Sequence, residues 1–173
     1  CWANNGNFSS TSQTLFLAKH GSLGTTNLRT WIPFVVTLPR EVVIASAVIR
    51  WYANNTQSTN VGVIMRCEAA DNPSSPVDDV DVQGRVVTSA AVSYNLEAYT
   101  IGNQYSYDIT AAVQEVLNRA GWVSSNTLAV VIDNAGTTSN NRREIASVEN
   151  TTYQQAILEI TVPTFIPKSI GVI

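Results

Sequence analysis

The chain has 173 residues, of which 13% are charged, a formal net charge of −3 and a pI of about 5.0. A single domain of this length can form a full hydrophobic core, because it buries roughly 70% of the surface that its unfolded chain exposes. The sequence therefore requires no second domain. Binding to nucleic acid or to an anionic membrane needs a concentrated basic patch, and Arg142-Arg143 is the only adjacent basic pair. No apolar run approaches the roughly 20 residues of a membrane span. We therefore expect neither nucleic acid nor a membrane as a partner.

The N-terminal part of the chain predicts an arm followed by strands. Residues 1–13, rich in Asn and Ser, predict an extended N-terminal arm. Alternating apolar side chains then predict strands over 14–19, 28–38, 42–52 and 61–68. The alternation is clearest in the third of these strands, where Ala47, Ile49 and Trp51 share the face that we expect to be buried.

A single helix is predicted at about 108–120. Asp108 is suited to the N-cap position, and the apolar residues from Ile109 to Leu117 recur with helical spacing. Gly121 is expected to end the helix in the left-handed conformation. Because the rest of the chain predicts strands and turns, this helix has to pack on a sheet.

The remaining segments predict short strands and one long polar loop. Residues 69–83 contain two prolines and four aspartates and predict a loop. Further short strands are predicted over 85–88, 92–94, 128–133, 143–148 and 156–162, and 104–107 leads into the helix. Short strands at this regular spacing predict an all-β fold, a jelly-roll β-sandwich over 14–162 with extended N- and C-terminal arms, the second arm being the tail 163–173.

Three stretches carry a resemblance to a known family. They are "TWIPFVVTLPREVVIASAVIRWYA", "MRCEAADNPSSP" and "YDITAAVQEVLNRAGW", followed by the closing strand "LEITV". Together they resemble the DNRLRE-type, carbohydrate-binding-module-like jelly-roll domain found in phage structural proteins and bacterial surface proteins. The resemblance covers roughly residues 14–162 and implies a non-catalytic module. The chain departs from the family's pattern at Arg40-Glu41-Val42-Val43, where a glycine-containing turn is usual, and at Ser124-Ser125-Asn126.

Few residues offer catalytic chemistry. His20 is the single histidine and lies in a Gly-flanked stretch, and no Gly-x-Ser-x-Gly elbow accompanies it. Cys1 and Cys67 are far apart and give no zinc-chelating pair. Cys67 is expected to be a small buried residue, whereas the sequence leaves open whether Cys1 is a processed or modified terminus. We therefore expect no enzyme.

The polar loop offers the one candidate metal site. Ca²⁺ takes six to eight oxygen ligands, and four aspartates with nearby backbone carbonyls are suited to supply them. The carboxylates are those of Asp71, Asp78, Asp79 and Asp81. Two interpretations stay open, a structural calcium site and a solvated acidic loop without a cofactor.

Tyrosines offer the candidate glycan site. Sandwich modules bind sugars through exposed aromatic rings, and the candidates here are Tyr52, Tyr94, Tyr99 and Tyr105. The alternative is that these rings seal sheet edges with their hydroxyls in water.

The chain ends predict contacts with other molecules. The tail is apolar, and free in water it would be a liability. The predicted assembly contacts are Trp2, Phe165, Ile166, Ile170, Val172 and Ile173. The sequence thus predicts a virion protein of a phage, a capsid decoration or tail-associated protein, whose arms bind other virion proteins or copies of itself in a homo-oligomer. The alternative is a secreted or cell-surface carbohydrate-binding module or adhesin domain.

Overall fold

The computed structural model describes residues 1–4, 7–19, 28–137 and 141–164. The strands in these ranges are β1 (Trp2–Asn4), β2 (Asn7–Ser9), β3 (Thr14–Ala18), β4 (Arg29–Val36), β5 (Ser46–Tyr52), β6 (Val61–Cys67), β7 (Val92–Leu96), β8 (Gln104–Asp108), β9 (Asn126–Asn134), β10 (Arg142–Ala146) and β11 (Ile157–Thr161). The helices are α1 (Asp79–Gly84) and α2 (Thr110–Leu117).

Antiparallel pairing organises the strands into layers. The largest sheet has the order β2-β1-β4-β9-β6-β7, a second has the order β11-β5-β8, and β10 pairs with β3. A bridge between Ala53 and Ile145 joins the end of β5 to β10, so the two smaller sheets adjoin each other. The predicted all-β fold is confirmed, with sheets packed as a sandwich, whereas the jelly-roll order of strands stays a prediction.

Period-two alternation explains the central strands. In β5, Ala47, Ile49 and Trp51 are fully buried, and the residues between them are partly exposed. In β6, buried residues alternate in the same way with partly exposed ones. The inward faces of both strands belong to one hydrophobic core. Cys67 lies at the end of the buried face of β6, as predicted, and burial raises the pKa of its thiol.

Helix α2 packs on this core. Ile109, Val113, Val116 and Leu117 are all fully buried, as the helical spacing predicted. The helix begins one residue later than expected, with Ile109 at the N-cap, and the Asp108 carboxylate accepts a hydrogen bond from the Thr110 N–H (2.8 Å).

The prediction that Gly121 adopts the left-handed conformation is wrong, since its φ is not positive. A Cβ at Gly121 would collide with the carboxylate of Asp71. Glycine is therefore required at position 121 because the backbone there lies against the Asp71 side chain.

The predicted N-terminal arm is instead a hairpin within the largest sheet. β1 pairs with β2 and with the start of β4, through Trp2 opposite Thr30 and Ala3 opposite Arg29. The Trp2 ring is buried and packs edge-to-face on Phe16, with ring centroids 5.3 Å apart. Trp2 therefore stabilises its own domain, which corrects its assignment as an assembly contact.

The predicted acidic loop contains α1, which the sequence did not reveal. Asp78 is the N-cap, and its carboxylate accepts the Asp81 N–H. At the other end of α1, the Arg29 guanidinium donates to the carbonyl oxygens of Val82, Gln83 and Arg85. The strand predicted over 85–88 is absent from the described chain, where Val87 makes a single bridge to Glu68.

Candidate functional site

An aromatic cluster lies where β5 and β8 run side by side. The Trp51 indole N–H donates to the Tyr99 hydroxyl (2.9 Å), which is hydrogen-bonded in turn to the Tyr107 hydroxyl (3.0 Å). The Tyr99 ring stacks on Tyr105, with centroids 3.9 Å apart and planes 17° from parallel. Burial raises the pKa of Tyr99 and of Tyr107. These phenols therefore remain neutral hydrogen-bonding groups in this fold.

Arg143 completes this cluster. Its side chain is buried, and the guanidinium carbon lies 5.0 Å from the centroid of the Tyr99 ring, in cation–π contact. The guanidinium donates to the carbonyl oxygens of Glu97, Leu96 and Thr59. Burial lowers the pKa of Arg143. Its hydrogen bonds fix the 57–59 and 96–99 segments against β10, which is a structural role.

The tyrosines predicted to bind glycan do not form one platform. Tyr99 is 1% exposed, so the expectation that it presents a ring face to solvent is wrong. The Tyr94 hydroxyl donates to the Asp108 carbonyl, and the Tyr105 hydroxyl accepts the Thr100 N–H (each 2.8 Å). Tyr52 lies apart from these three rings.

Tyr52 instead pairs with Tyr153, a residue that sequence reasoning missed. The two rings lie 12° from parallel with centroids 6.5 Å apart, and both side chains are partly exposed. Asn150 positions Tyr153 by accepting its backbone N–H (2.7 Å). Gly102, with a φ of +80°, lets the Tyr153 ring pack against the 101–103 turn, since a Cβ there would lie 3.3 Å from the ring. The two tyrosines are about a hundred positions apart in sequence, so no local pattern could have revealed the pair.

The aspartates predicted to bind calcium have separate partners. Asp71 pairs with Arg119 (2.7 Å), Asp81 pairs with Arg85 (2.7 Å), and Asp78 caps α1. In the part of the chain that the structure describes, no group of three or more His, Cys, Asp or Glu residues is placed to hold a metal ion. Asp71 thus attaches the 69–90 segment to the sandwich, whereas Asp78 and Asp81 stabilise the segment internally.

Other carboxylates serve the same attachment. The buried Glu68 accepts from the Trp31 indole N–H (2.7 Å) and from Arg85 (2.9 Å). Arg29 makes two hydrogen bonds to Asp133, at 2.7 and 3.0 Å. Each of these carboxylates thus faces a guanidinium in a charge-assisted hydrogen bond.

An apolar groove lies on one side of the sandwich, between β4 and β11. β4 pairs along its length with β9 on one side, but β1 reaches only the start of its other side, so that other edge has no strand partner from Ile32 to Val36 among the described residues. β11 is likewise the last strand of its sheet. Between these open edges is a groove of about 280 Å³ lined by Phe34, Val36, Leu38, Leu158 and Ile160. Phe34 also lines a neighbouring cavity of about 170 Å³. Inward-facing apolar side chains are thus left without a covering strand here.

Other predicted residues lie beyond the described ranges. His20 and the tail residues Phe165, Ile166, Ile170, Val172 and Ile173 are outside the described residues. Cys1 and Cys67 are both free thiols. Neither helix of the described ranges is long and apolar enough to cross a membrane.

No protein-family model and no characterised protein matches this chain.

Proposed function

We propose that this chain is a non-catalytic structural protein of a phage virion, a capsid decoration or tail-associated protein that assembles with neighbouring subunits. The observation that carries the proposal is the groove between β4 and β11. Apolar side chains between two unpaired sheet edges favour association with another chain. The sequence leads from β11 directly into the apolar tail, which supplies a segment suited to such contacts.

Two carboxylates with shifted pKa values have structural rather than general-acid roles. A general acid needs a carboxyl pKa raised toward the working pH. Hydrogen bonds from Arg85 instead lower the pKa of Asp81. Burial alone would raise the pKa of Glu115, but hydrogen bonds from Ala90 and Ser89 bring it below its usual range. Both carboxylates hold structural elements in place in their charged forms.

The location of the protein in its source tests this proposal. Antibodies raised against the purified chain should label particles that are fractionated from culture by density gradient, and the chain should co-sediment with the particles. An unrelated secreted protein from the same culture is the control and should stay in the upper fractions. Recovery of the chain only in the particle-free supernatant would reject a virion role.

A carbohydrate-binding module or adhesin domain is the second candidate, and the Tyr52–Tyr153 pair favours it. Two nearly parallel and partly exposed rings are suited to stack on the apolar faces of sugar units. Asn150 holds the Tyr153 backbone in place and donates to Asn54 (3.0 Å), so the ring pair has a fixed support.

Polysaccharide pull-down with matched variants tests this second candidate. Tyr52→Ala and Tyr153→Ala should each abolish retention on the binding polysaccharide. Val43→Ala, which changes an exposed side chain elsewhere, should leave retention unchanged. Equal retention of all three variants would reject the tyrosine pair as a sugar site.

A further inference from the structure

We infer that the groove between β4 and β11 accepts the C-terminal tail, residues 165–173, of a second copy of this chain, and that the tail adds to β11 as an extra strand. The inference rests on the proposed assembly function and names its partner and its contact surface.

The two edges that flank the groove are not equivalent. Pro33 is exposed on β4, and a proline lacks the N–H that a strand ladder needs. β11 contains no proline, and as the last strand of its sheet it has backbone groups available on its outer side. An incoming strand therefore pairs with β11, and β4 supplies apolar contacts through Phe34 and Val36.

The sequence of the tail matches this groove. Ile170 and Val172 alternate with Ser169 and Gly171, so an extended conformation places the two large apolar side chains on one face. That face is complementary to Leu158 and Ile160 of β11. Burying an unpaired charge is costly, and the only charged side chain of the tail is that of Lys168. Residues 169–173 can therefore enter the groove without burying a charged side chain.

The prolines favour a second copy over the tail's own groove. To return to its own β11, the chain would have to reverse direction between Val162 and Pro167. Val162 and Ile166 each precede a proline, and residues in that position are biased toward extended conformations. An extended nine-residue tail spans up to about 30 Å, enough to reach a neighbouring subunit. Reciprocal exchange of two tails closes a two-fold dimer, whereas one-way donation from subunit to subunit builds rings or open chains.

Complementation between two full-length variants tests this arrangement. Ile170→Asp with Val172→Asp disables the tail, and Ile160→Lys disables the groove. Light scattering should show that the wild-type chain forms concentration-dependent oligomers and that each variant alone is a monomer. The mixture of the two variants should form a 1:1 complex, because one variant keeps an intact groove and the other an intact tail.

Two further variants control for folding and site. Phe34, a partly exposed residue whose side chain lines the groove, can be changed to Ala, and Phe34→Ala should weaken assembly at least tenfold while thermal unfolding stays cooperative. Val43→Lys, at a 69% exposed position away from the groove, should assemble like the wild type. In the wild-type oligomer, amide exchange in β11 should be slower than in the tail-disabled variant.

The outcomes separate the inference from the proposed function. Monomeric wild-type chain with protected β11 amides would place the tail in its own groove and overturn the second-copy arrangement. Oligomers that persist in both disabled variants would overturn the groove as the acceptor. Either result could coexist with recovery of the chain in virions, which is the separate test of the proposed function.

Discussion

Removing one buried hydroxyl should expose how the aromatic cluster is stabilised. Tyr99→Phe keeps the ring and its stack on Tyr105, but it removes the acceptor of the Trp51 indole N–H. Trp51 is fully buried, so water cannot replace that acceptor. The second partner of the hydroxyl, Tyr107, is only partly buried and can turn toward solvent. The expected cost therefore comes mainly from one orphaned donor.

The magnitude follows from the asymmetry of hydrogen-bond removal. A buried donor left without a partner costs about 1–3 kcal/mol. For a domain of this size, 1 kcal/mol shifts Tm by about 2–4 °C. We expect Tyr99→Phe to lower the free energy of unfolding by about 2 kcal/mol, and Tm by about 4–8 °C.

The matched control is Tyr105→Phe, measured by thermal and urea unfolding beside Tyr99→Phe. The Tyr105 hydroxyl bonds to the backbone of Thr100 and Ala98, both exposed residues that can bind water instead. Its loss should cost less than about 1 kcal/mol. In a Trp51→Phe background, where no indole donor remains, the cost of Tyr99→Phe should shrink. Equal destabilisation by Tyr99→Phe and Tyr105→Phe would refute the orphaned-donor argument.

Three further perturbations test the helix and the acidic segment. Leu117→Ala should destabilise the protein by about 2–5 kcal/mol in thermal melts, because the side chain is fully buried in the core; a shift as small as that of Val43→Ala would contradict this packing. EDTA should leave Tm unchanged, because Asp71 and Asp81 are paired with arginines. The calcium hypothesis predicts the opposite: EDTA lowers Tm, Ca²⁺ restores it, and Asp71→Ala or Asp79→Ala removes the sensitivity to EDTA. Asp81→Asn should lower Tm at neutral pH. The hydrogen bond from Arg85 lowers the pKa of Asp81 in the folded state below 3.8, so the Tm difference between wild type and Asp81→Asn should persist down to about pH 4. It should close as the pH falls through the folded pKa. A Tm difference that stays constant to pH 2 would contradict the ion pair.

The sequence predicted the elements whose signal is local. The alternation in β5 and β6 and the helical spacing of Ile109 to Leu117 each identify a buried face without knowledge of the partner. The hairpin of β1 and β2 gave no such signal, because its position depends on pairing with β4, more than twenty residues away. Helix α1 is only six residues long, and contacts from Arg29, far away in sequence, satisfy its C-terminal carbonyls. Tertiary contacts thus decided both elements.

The candidate sites were harder to predict for the same reason. Composition identified the tyrosines and aspartates but not their surroundings. Tyr99 lies outside the strands, in a single bridge to Gln57, so no local periodicity indicated that it would be buried between Trp51 and Arg143. The four aspartates are close in sequence, yet Asp71 pairs with the distant Arg119, Asp81 pairs with Arg85 and Asp78 caps α1. Sequence proximity of like residues does not imply a shared site when oppositely charged partners come from elsewhere.

The two sides of the sandwich where the sheets end differ in how they are covered. Where β7 and β8 end their sheets, Tyr94 packs edge-to-face on Tyr107, with centroids 4.9 Å apart, and its hydroxyl bonds to the Asp108 carbonyl. Aromatic side chains from the chain itself therefore close that side. Between β4 and β11, by contrast, the described residues leave Phe34 and its apolar neighbours along a groove. The fold thus seals one side with its own tyrosines, and the other, apolar side is the surface to which we propose that the tail of a second copy binds.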